Sequence, residues 1–214
     1  MRLTRTLIVS VVFVLIAALA AVWLYPQLPA RLPVHWDLQG HVNGYMPRFW
    51  GAAFPALMIF ALAMVTALLP LISPRRFGIT PFMSAYGIVM LGVQGVVLVV
   101  GLCTLLDGAG YALPMPTVAF LSVGVLLMVI GNYMGKLRRN FFIGIRTPWT
   151  LASDAVWERT HRLGGWLFML AGLVMVVGVI AGAPPWVSWG AIAAAVLIPC
   201  AYSFRVYRRL AKSA

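Results

Sequence analysis

The stretch FMSAYGIVMLGVQGVVLVVGLCTLL, residues Phe82 to Leu106, runs for 25 residues without a charged side chain or a histidine. A helix needs about 20 predominantly apolar residues to cross the hydrocarbon core of a bilayer. Five other runs of similar length and composition lie along the chain, so the sequence predicts six transmembrane helices. The predicted spans cover approximately residues 7–25, 51–72, 82–106, 115–134, 164–183 and 186–204.

The overall composition supports the same class of protein. Hydrophobic residues make up 63% of the chain and charged residues only 9%, whereas soluble domains average roughly 25% charged residues. Strands of a membrane β-barrel alternate polar and apolar residues and would interrupt such runs. We therefore predict an all-α fold, a polytopic membrane helical bundle that forms a single membrane domain over residues 1–214.

The basic residues fall almost entirely on one side of this six-span arrangement, and only Arg31 and Arg48 fall on the other. Lys and Arg near membrane ends are retained on the cytoplasmic side, so both termini are predicted to be cytoplasmic. The +12 net charge then indicates contact with membrane lipids, whose headgroups are anionic, and no direct binding of nucleic acid. The basic residues assigned to the cytoplasmic side are Arg2, Arg5, Arg75, Arg76, Lys136, Arg138, Arg139, Arg146, Arg159, Arg162, Arg205, Arg208, Arg209 and Lys212.

The predicted spans carry no ionisable side chain in their interiors. Ion-coupled transporters usually keep such groups at membrane depth, which argues against transport. Gln94 is strongly polar and near a span centre, where an interhelical hydrogen bond is favoured over a substrate contact. The glycine pair Gly131 and Gly135 has the spacing that lets helices approach closely, and we expect it to serve packing inside the bundle.

The external loop, residues 26–50, is rich in proline and polar residues. Its prolines favour extended backbone, and Asn43-Gly44 predicts a tight turn. The rings of Trp36 and Tyr45 suit either a membrane interface or ligand contact.

Three side chains of this loop, His35, Asp37 and His41, supply nitrogen and oxygen atoms that metals accept. Their spacing is not that of a known zinc motif, so hydrogen-bonded loop side chains are favoured over a metal site. We predict no metal and no cofactor.

The internal loop, residues 135–163, contains the apolar and aromatic segment FFIGIRTPWT. Gly144 frees the backbone, and Pro148 forces Thr147 toward an extended conformation. This segment is expected to lie in or against the membrane surface. Arg146 must then reach water or headgroups, or find an acceptor, because a buried unpaired guanidinium is costly.

The second part of the internal loop predicts a short interfacial helix of about ten residues that leads into the fifth span. Ser153 suits its N-cap, and Glu158 is placed to pair with Arg162 four residues on. Trp157 lies on one helical face with Val156, Thr160 and Gly164. A structural role is favoured for His161, since no nucleophile with a base and an orienting acid is apparent and no catalytic residue is assigned.

Both loops carry patterns by which the chain resembles the SdpI-type immunity protein family of bacteria. The external pattern is P-x-H-W-[ND]-x-x-G-x-x-[DN]-G-Y, carried by Pro33, His35, Trp36, Asp37, Gly40, Asn43, Gly44 and Tyr45. The internal pattern includes G-N-Y-M and, later, G-I-R-T-P-W-T-L and V-W-x-x-T-H-R. Its candidate functional residues are Asn132, Asn140, Gly144, Arg146, Thr147, Pro148, Trp149, Trp157, Thr160, His161 and Arg162.

The resemblance implies a multi-pass protein of the bacterial plasma membrane that protects its host from a secreted, membrane-active peptide toxin. In the best-known member of the family, the toxin-engaged protein is thought to hold a winged-helix transcriptional repressor at the membrane. The corresponding hypothesis here is that the external loop senses or neutralises a peptide and the internal loop relays this to a repressor. Two other classes stay open, a membrane enzyme with its site in the external loop and a small-molecule transporter.

Overall fold

The computed structural model describes residues 3–74 and 77–211, and within them the chain is mostly helical. Six helices in this part of the chain are long and apolar enough to cross a membrane, which is the number of spans that the sequence predicts. Together with one short helix, these long helices make seven α-helices in the described residues. They are α1 (Leu3–Leu24), α2 (Arg48–Ile72), α3 (Met83–Gly108), α4 (Met115–Met134), α5 (Pro148–Ala152), α6 (Asp154–Ile180) and α7 (Pro185–Ala211). Between α1 and α2, β1 (Arg31–Trp36) and β2 (Val42–Pro47) pair in antiparallel fashion. Arg2, Arg75, Arg76 and Lys212, counted in the charge prediction, lie outside the described residues.

The alternating helices give the bundle two ends. One end carries the β-hairpin and is called the hairpin end; the other carries residues 135–153 and is called the loop end. Of the described basic residues, Arg31 and Arg48 lie at the hairpin end. Many apolar side chains on the outer faces of the helices are exposed, among them Leu19, Leu71 and Leu197. A soluble monomer rarely exposes so much apolar surface, and a lipid environment accounts for it.

The helices form two groups of three. Helices α1, α2 and α3 pack together as the first group. In the second group, α6 packs against both α4 and α7. The contact between α3 and α4 joins the two groups. At the loop end the junction is closed by a buried cluster that includes Tyr86 of α3, Met134 of α4 and Trp157 of α6. These side chains fix the first group against the second at that end.

Polar side chains in the first group form hydrogen bonds between α2 and α3. Gln94 Nε2 donates to Thr66 Oγ1 at 3.2 Å, which confirms the interhelical hydrogen bond predicted for Gln94. The Tyr86 hydroxyl donates to the Thr66 carbonyl at 2.8 Å. Hydrogen bonds between helices tie α3 to α2 where water is excluded.

Helices α4 and α6 cross at glycines. A Cβ added to Gly131 would lie 2.6 Å from the Gly165 carbonyl oxygen and 2.7 Å from the Met169 nitrogen. One added to Gly165 would lie 2.8 Å from the Gly131 carbonyl oxygen. Gly131 therefore serves internal packing, as predicted. Gly135 differs, because nothing lies within 4 Å of a Cβ built there.

The hairpin is anchored by Leu32, whose side chain is fully buried. Cβ atoms at Gly51 of α2 and Gly108 of α3 would both clash with this side chain, the first at 2.9 Å from its Cδ2. The Leu32 side chain therefore packs into the space left by the two glycines, next to Leu28. The hairpin is fixed to the bundle by this contact as well as by the chain connections.

Two local expectations were wrong. Asn43 and Gly44 do not form the turn of the external loop but lie in β2, with Gly44 opposite His35. The interfacial helix is not a separate element, because α6 runs without a break from Asp154 to Ile180. Gly164 and Gly165 do not interrupt it, since their missing side chains are used for close packing.

We expect Gly131→Ala to destabilise the protein by about 1–3 kcal/mol, because the added methyl overlaps the backbone of α6. Gly135→Ala is the matched control, since the same methyl there meets open space. Thermal unfolding of the two variants purified in detergent measures the difference. Equal melting temperatures would show that the close α4–α6 crossing is not required.

Candidate functional site

A groove of about 510 Å³ lies at the hairpin end beneath the β-hairpin. The hairpin forms one wall with residues 34–38, and the helices form the rest with mostly apolar side chains. The helical lining consists of Val100, Met115, Pro116, Ala119, Phe120, Val123, Met175, Trp189 and Ile192. His35, Trp36 and Asp37 of the external motif thus share one groove wall.

Asp37 organises the hairpin turn. Its Oδ1 accepts hydrogen bonds from the backbone N–H groups of Gln39 and His41 at 2.9 and 2.8 Å. The His41 N–H bond is the main reason that the pKa of Asp37 lies below its usual value. Gly40 completes the turn with φ +88°, a conformation that L side chains rarely adopt. These motif residues shape the groove wall.

His35 is held by the opposite strand. Its Nδ1 hydrogen-bonds Asn43 Oδ1 across the hairpin. A Cβ at Gly44 would lie 2.8 Å from the His35 Cβ, so this position has no room for a side chain unless His35 moves. Asn43 and Gly44 therefore position the imidazole at the groove.

The candidate metal ligands have other partners. His41 Nδ1 lies 3.3 Å from Asp37 Oδ2, while His35 bonds Asn43. Among the described residues, no group of three His, Cys, Asp or Glu side chains is arranged to hold a metal ion. The geometry favours hydrogen-bonded loop side chains.

Pro33 and Tyr45, like Gly40, Asn43 and Gly44, are not among the residues that line the groove. Tyr45 is exposed, with the Arg31 guanidinium 6.0 Å from its ring centre. Pro33 pairs with Tyr45 across the hairpin. The exposed ring suits the interfacial role considered for it from the sequence.

At the loop end, Asn140 is fully buried and uses its whole amide. Its Nδ2 donates to the carbonyls of Arg138 and Ile143 at 2.8 and 3.1 Å. Its Oδ1 accepts from the N–H groups of Phe142 and Ile143, both at 2.8 Å. One side chain therefore determines the backbone path of the loop.

His161 attaches the next part of the loop to α6. Its Nε2 accepts the Ile145 N–H at 3.0 Å, so Nδ1 carries the proton and donates to the Trp157 carbonyl at 2.9 Å. The imidazole is stacked on the Trp157 ring, 3.9 Å between centres. Gly144, at φ +109°, is tight against His161 and would clash with a Cβ. His161 has the structural role predicted for it.

Trp157 is buried and its Nε1 donates to the Leu137 carbonyl at 2.8 Å. Val156, Thr160 and Gly164 are buried with it, as expected for one helical face. The Thr160 hydroxyl has no hydrogen-bond partner within the described structure. In this structure the Trp157 side chain is therefore not accessible to a partner at the loop end.

Residues Pro148–Ala152 form α5. Thr147 is extended, as Pro148 predicts, and forms a capping box with Thr150. Thr147 Oγ1 also lies 3.0 Å from Ser203 Oγ of α7, and the Trp149 ring packs on Phe204. These contacts join the loop to the last helix.

The cations of the loop have separate partners. Arg139 Nε pairs with Asp154 at 2.9 Å, and Arg146 donates to the Phe141 carbonyl while remaining exposed. Arg146 therefore meets the requirement for an acceptor. The prediction that Glu158 pairs with Arg162 is wrong, because Glu158 Oε1 instead accepts a hydrogen bond from Arg138 Nη1 at 2.7 Å. The loop folds back over α6 and brings Arg138 closer than sequence spacing suggests.

Ser153 caps α6 as predicted, with Oγ accepting the Val156 N–H at 3.4 Å. Asn132 and Arg162 lie apart from the Asn140 and His161 networks, in a small groove between α4 and α6. Sequence reasoning missed the groove residues Phe120 and Trp189, since they are ordinary apolar span residues whose convergence depends on helix packing.

We expect Asn140→Ala to lower the free energy of unfolding by about 2–3 kcal/mol, because it leaves buried backbone N–H groups without acceptors. Glu158→Gln breaks only the exposed pair with Arg138 and is expected to cost less than about 1 kcal/mol. Unfolding of both variants in detergent provides the comparison. A smaller effect for Asn140→Ala than for Glu158→Gln would contradict this role.

Two protein-family models match this chain, one over the internal loop and the other over the external loop. The SdpI/YfhL protein family model matches residues 136–203, and that of a domain of unknown function, DUF1648, matches residues 12–60. Immunity protein SdpI of Bacillus subtilis (strain 168) is 27% identical over 177 residues, covering 79% of each chain. No solved structure matches the chain significantly. With six apolar helices and both loop motifs in place, the chain is similar to the SdpI-type family of multi-pass membrane proteins.

Proposed function

We propose that this chain is an immunity protein of the bacterial plasma membrane that protects its host from a membrane-active peptide toxin. The similarity to Immunity protein SdpI supports the immunity role. The groove beneath the hairpin is the observation that carries the proposal for where the peptide binds, because it joins the external motif to an apolar lining.

The groove has the chemistry that an amphipathic peptide requires. Phe120 and Trp189 provide an aromatic floor, with their ring centres 6.1 Å apart, and Asp37 and His41 provide polar groups at the hairpin. Its volume of about 510 Å³ falls within the usual range of ligand pockets, roughly 300–1,000 Å³. Apolar side chains of a bound peptide would enter the groove while its polar groups stay at the hairpin.

Charge supports placing the hairpin outside. The loop end carries most of the described cations, among them Arg138, Arg139 and Arg159, and cations are retained in the cytoplasm. Both termini are then cytoplasmic, and the groove faces the side from which a secreted peptide arrives.

A relay to a winged-helix repressor is the second part of the proposal. The groove lies across the junction of the two helix groups, with Val100 from α3 and Met175 from α6 in its lining. A peptide bound there would shift one group against the other, pivoting at the cluster around Tyr86 and Trp157. Because Trp157 is buried, the exposed cations of the loop are the contacts that we assign to the repressor.

We expect survival of sensitive cells, challenged with a panel of membrane-active bacterial peptides, to rise when they express this chain. Trp36→Ala should abolish protection because it removes a groove wall, and Ala119→Phe should do the same by filling the groove. Trp50→Ala is the matched control, since Trp50 is exposed at the same end but does not line the groove.

Immunoblots of membrane fractions must show equal amounts of each variant. No protection by the wild-type chain against any peptide would contradict the immunity role. Protection that survives both Trp36→Ala and Ala119→Phe would keep the role and reject the groove.

The relay has its own readout, a reporter fused to the promoter of this chain's gene. We expect a protective peptide to raise reporter expression in wild-type cells, and the double variant Arg138→Ala/Arg146→Ala to lose this response while keeping protection. Arg208→Ala, a cation of α7 at the same end, is the control. If the reporter does not respond in wild-type cells that are protected, the relay is rejected and the immunity role stands.

A further inference from the structure

A second groove, of about 240 Å³, lies at the loop end between α4 and α6. It exists because the two helices meet at Gly131 and Gly165 and leave no side chains to fill the space beside their crossing. Gly135 adds to the opening, since a Cβ there would meet nothing within 4 Å. The groove does not belong to the hairpin end or to the Asn140 and His161 networks.

Two polar side chains of the internal motif line this groove, Asn132 from α4 and Arg162 from α6. Both are exposed, and neither forms a hydrogen bond or ion pair with another described residue. The acid predicted to pair with Arg162 is occupied by Arg138. The groove therefore presents a positive charge and an amide whose hydrogen-bonding groups are available.

The groove changes from polar to apolar along α6. Arg162 lies just before the predicted span, where headgroups are expected, and Trp166 and Met169 continue the lining into it. Met169 lies seven positions after Arg162 on the helix, a distance of about 10 Å along the axis. A phospholipid has this arrangement of a phosphate followed by apolar chains, whereas a free phosphate ion would use only the outer part.

We propose that this groove is a binding site for one anionic phospholipid. Arg162 and the Asn132 amide hold the phosphate, and Gly135, where a Cβ would meet nothing within 4 Å, leaves room for the glycerol region beside the crossing. The start of an acyl chain lies against Trp166 and Met169. A guanidinium can bind two phosphate oxygens at once, which favours Arg over Lys at such a position.

The test uses the full chain, purified in detergent, stripped of lipid and exchanged into mixed micelles with phosphatidylglycerol or phosphatidylcholine. Native mass spectrometry measures how much of each lipid stays bound. We expect the wild-type chain to retain phosphatidylglycerol preferentially and Arg162→Gln to reduce that preference about tenfold, as loss of a charge-assisted hydrogen bond predicts.

Two further variants make the result specific. Arg159→Gln removes the same charge one turn earlier on α6, outside the groove, and is expected to keep the preference. Gly135→Leu fills the groove without changing charge and is expected to lose it. Equal retention in Arg162→Gln and Arg159→Gln would overturn the site in favour of diffuse attraction between cations and lipid.

Two other outcomes would also reject the proposal. Displacement of the lipid by inorganic phosphate at matched charge would show that the site recognises the phosphate group without the chains. Conversion of a wild-type dimer to a monomer by Gly135→Leu, with unchanged lipid retention, would show that a second copy of this chain occupies the groove.

Discussion

The close crossing of α4 and α6 is the contact on which the loop end depends. Gly131 and Gly165 bring the two backbones together so closely that even a methyl group at either position would overlap the other helix. This approach sets Met134 and Leu137 over Trp157, whose indole donates to the Leu137 carbonyl. Helices in lipid gain little from burying apolar surface against each other, so such packing and hydrogen bonds are the main forces between them.

The internal motif is mostly explained by structure at this crossing. Asn140 satisfies four backbone groups, and His161 satisfies two while stacking on Trp157. A folded loop rarely leaves its buried N–H and C=O groups unpaired, because each unpaired group costs free energy when water is absent. Among the exposed polar residues of the motif, Asn132 and Arg162 have no side-chain partner in the described structure and are therefore the most available for binding.

The two ends of the bundle differ in how they join the helix groups. At the loop end a buried aromatic cluster holds them together, whereas at the hairpin end a groove lies across the junction. The hairpin above this groove is fixed through Leu32 and shaped by Asp37 and Gly40. The proposed relay depends on this difference, because a peptide in the groove would act at the end where no buried aromatic cluster of the described residues holds the two groups together.

The sequence alone determined the six long apolar helices, the Ser153 cap, the extended Thr147 and the interhelical bond of Gln94, because each follows from local composition or spacing. It placed the turn at Asn43-Gly44 and paired Glu158 with Arg162, and both were wrong for the same reason. Pairings that the sequence pattern does not show decided the outcome: β1 pairs with the Asn43-Gly44 segment, and Arg138 reaches Glu158 over the folded loop. Only the tertiary structure could reveal the two grooves, since their walls come from helices whose side chains show no pattern until packing brings them together.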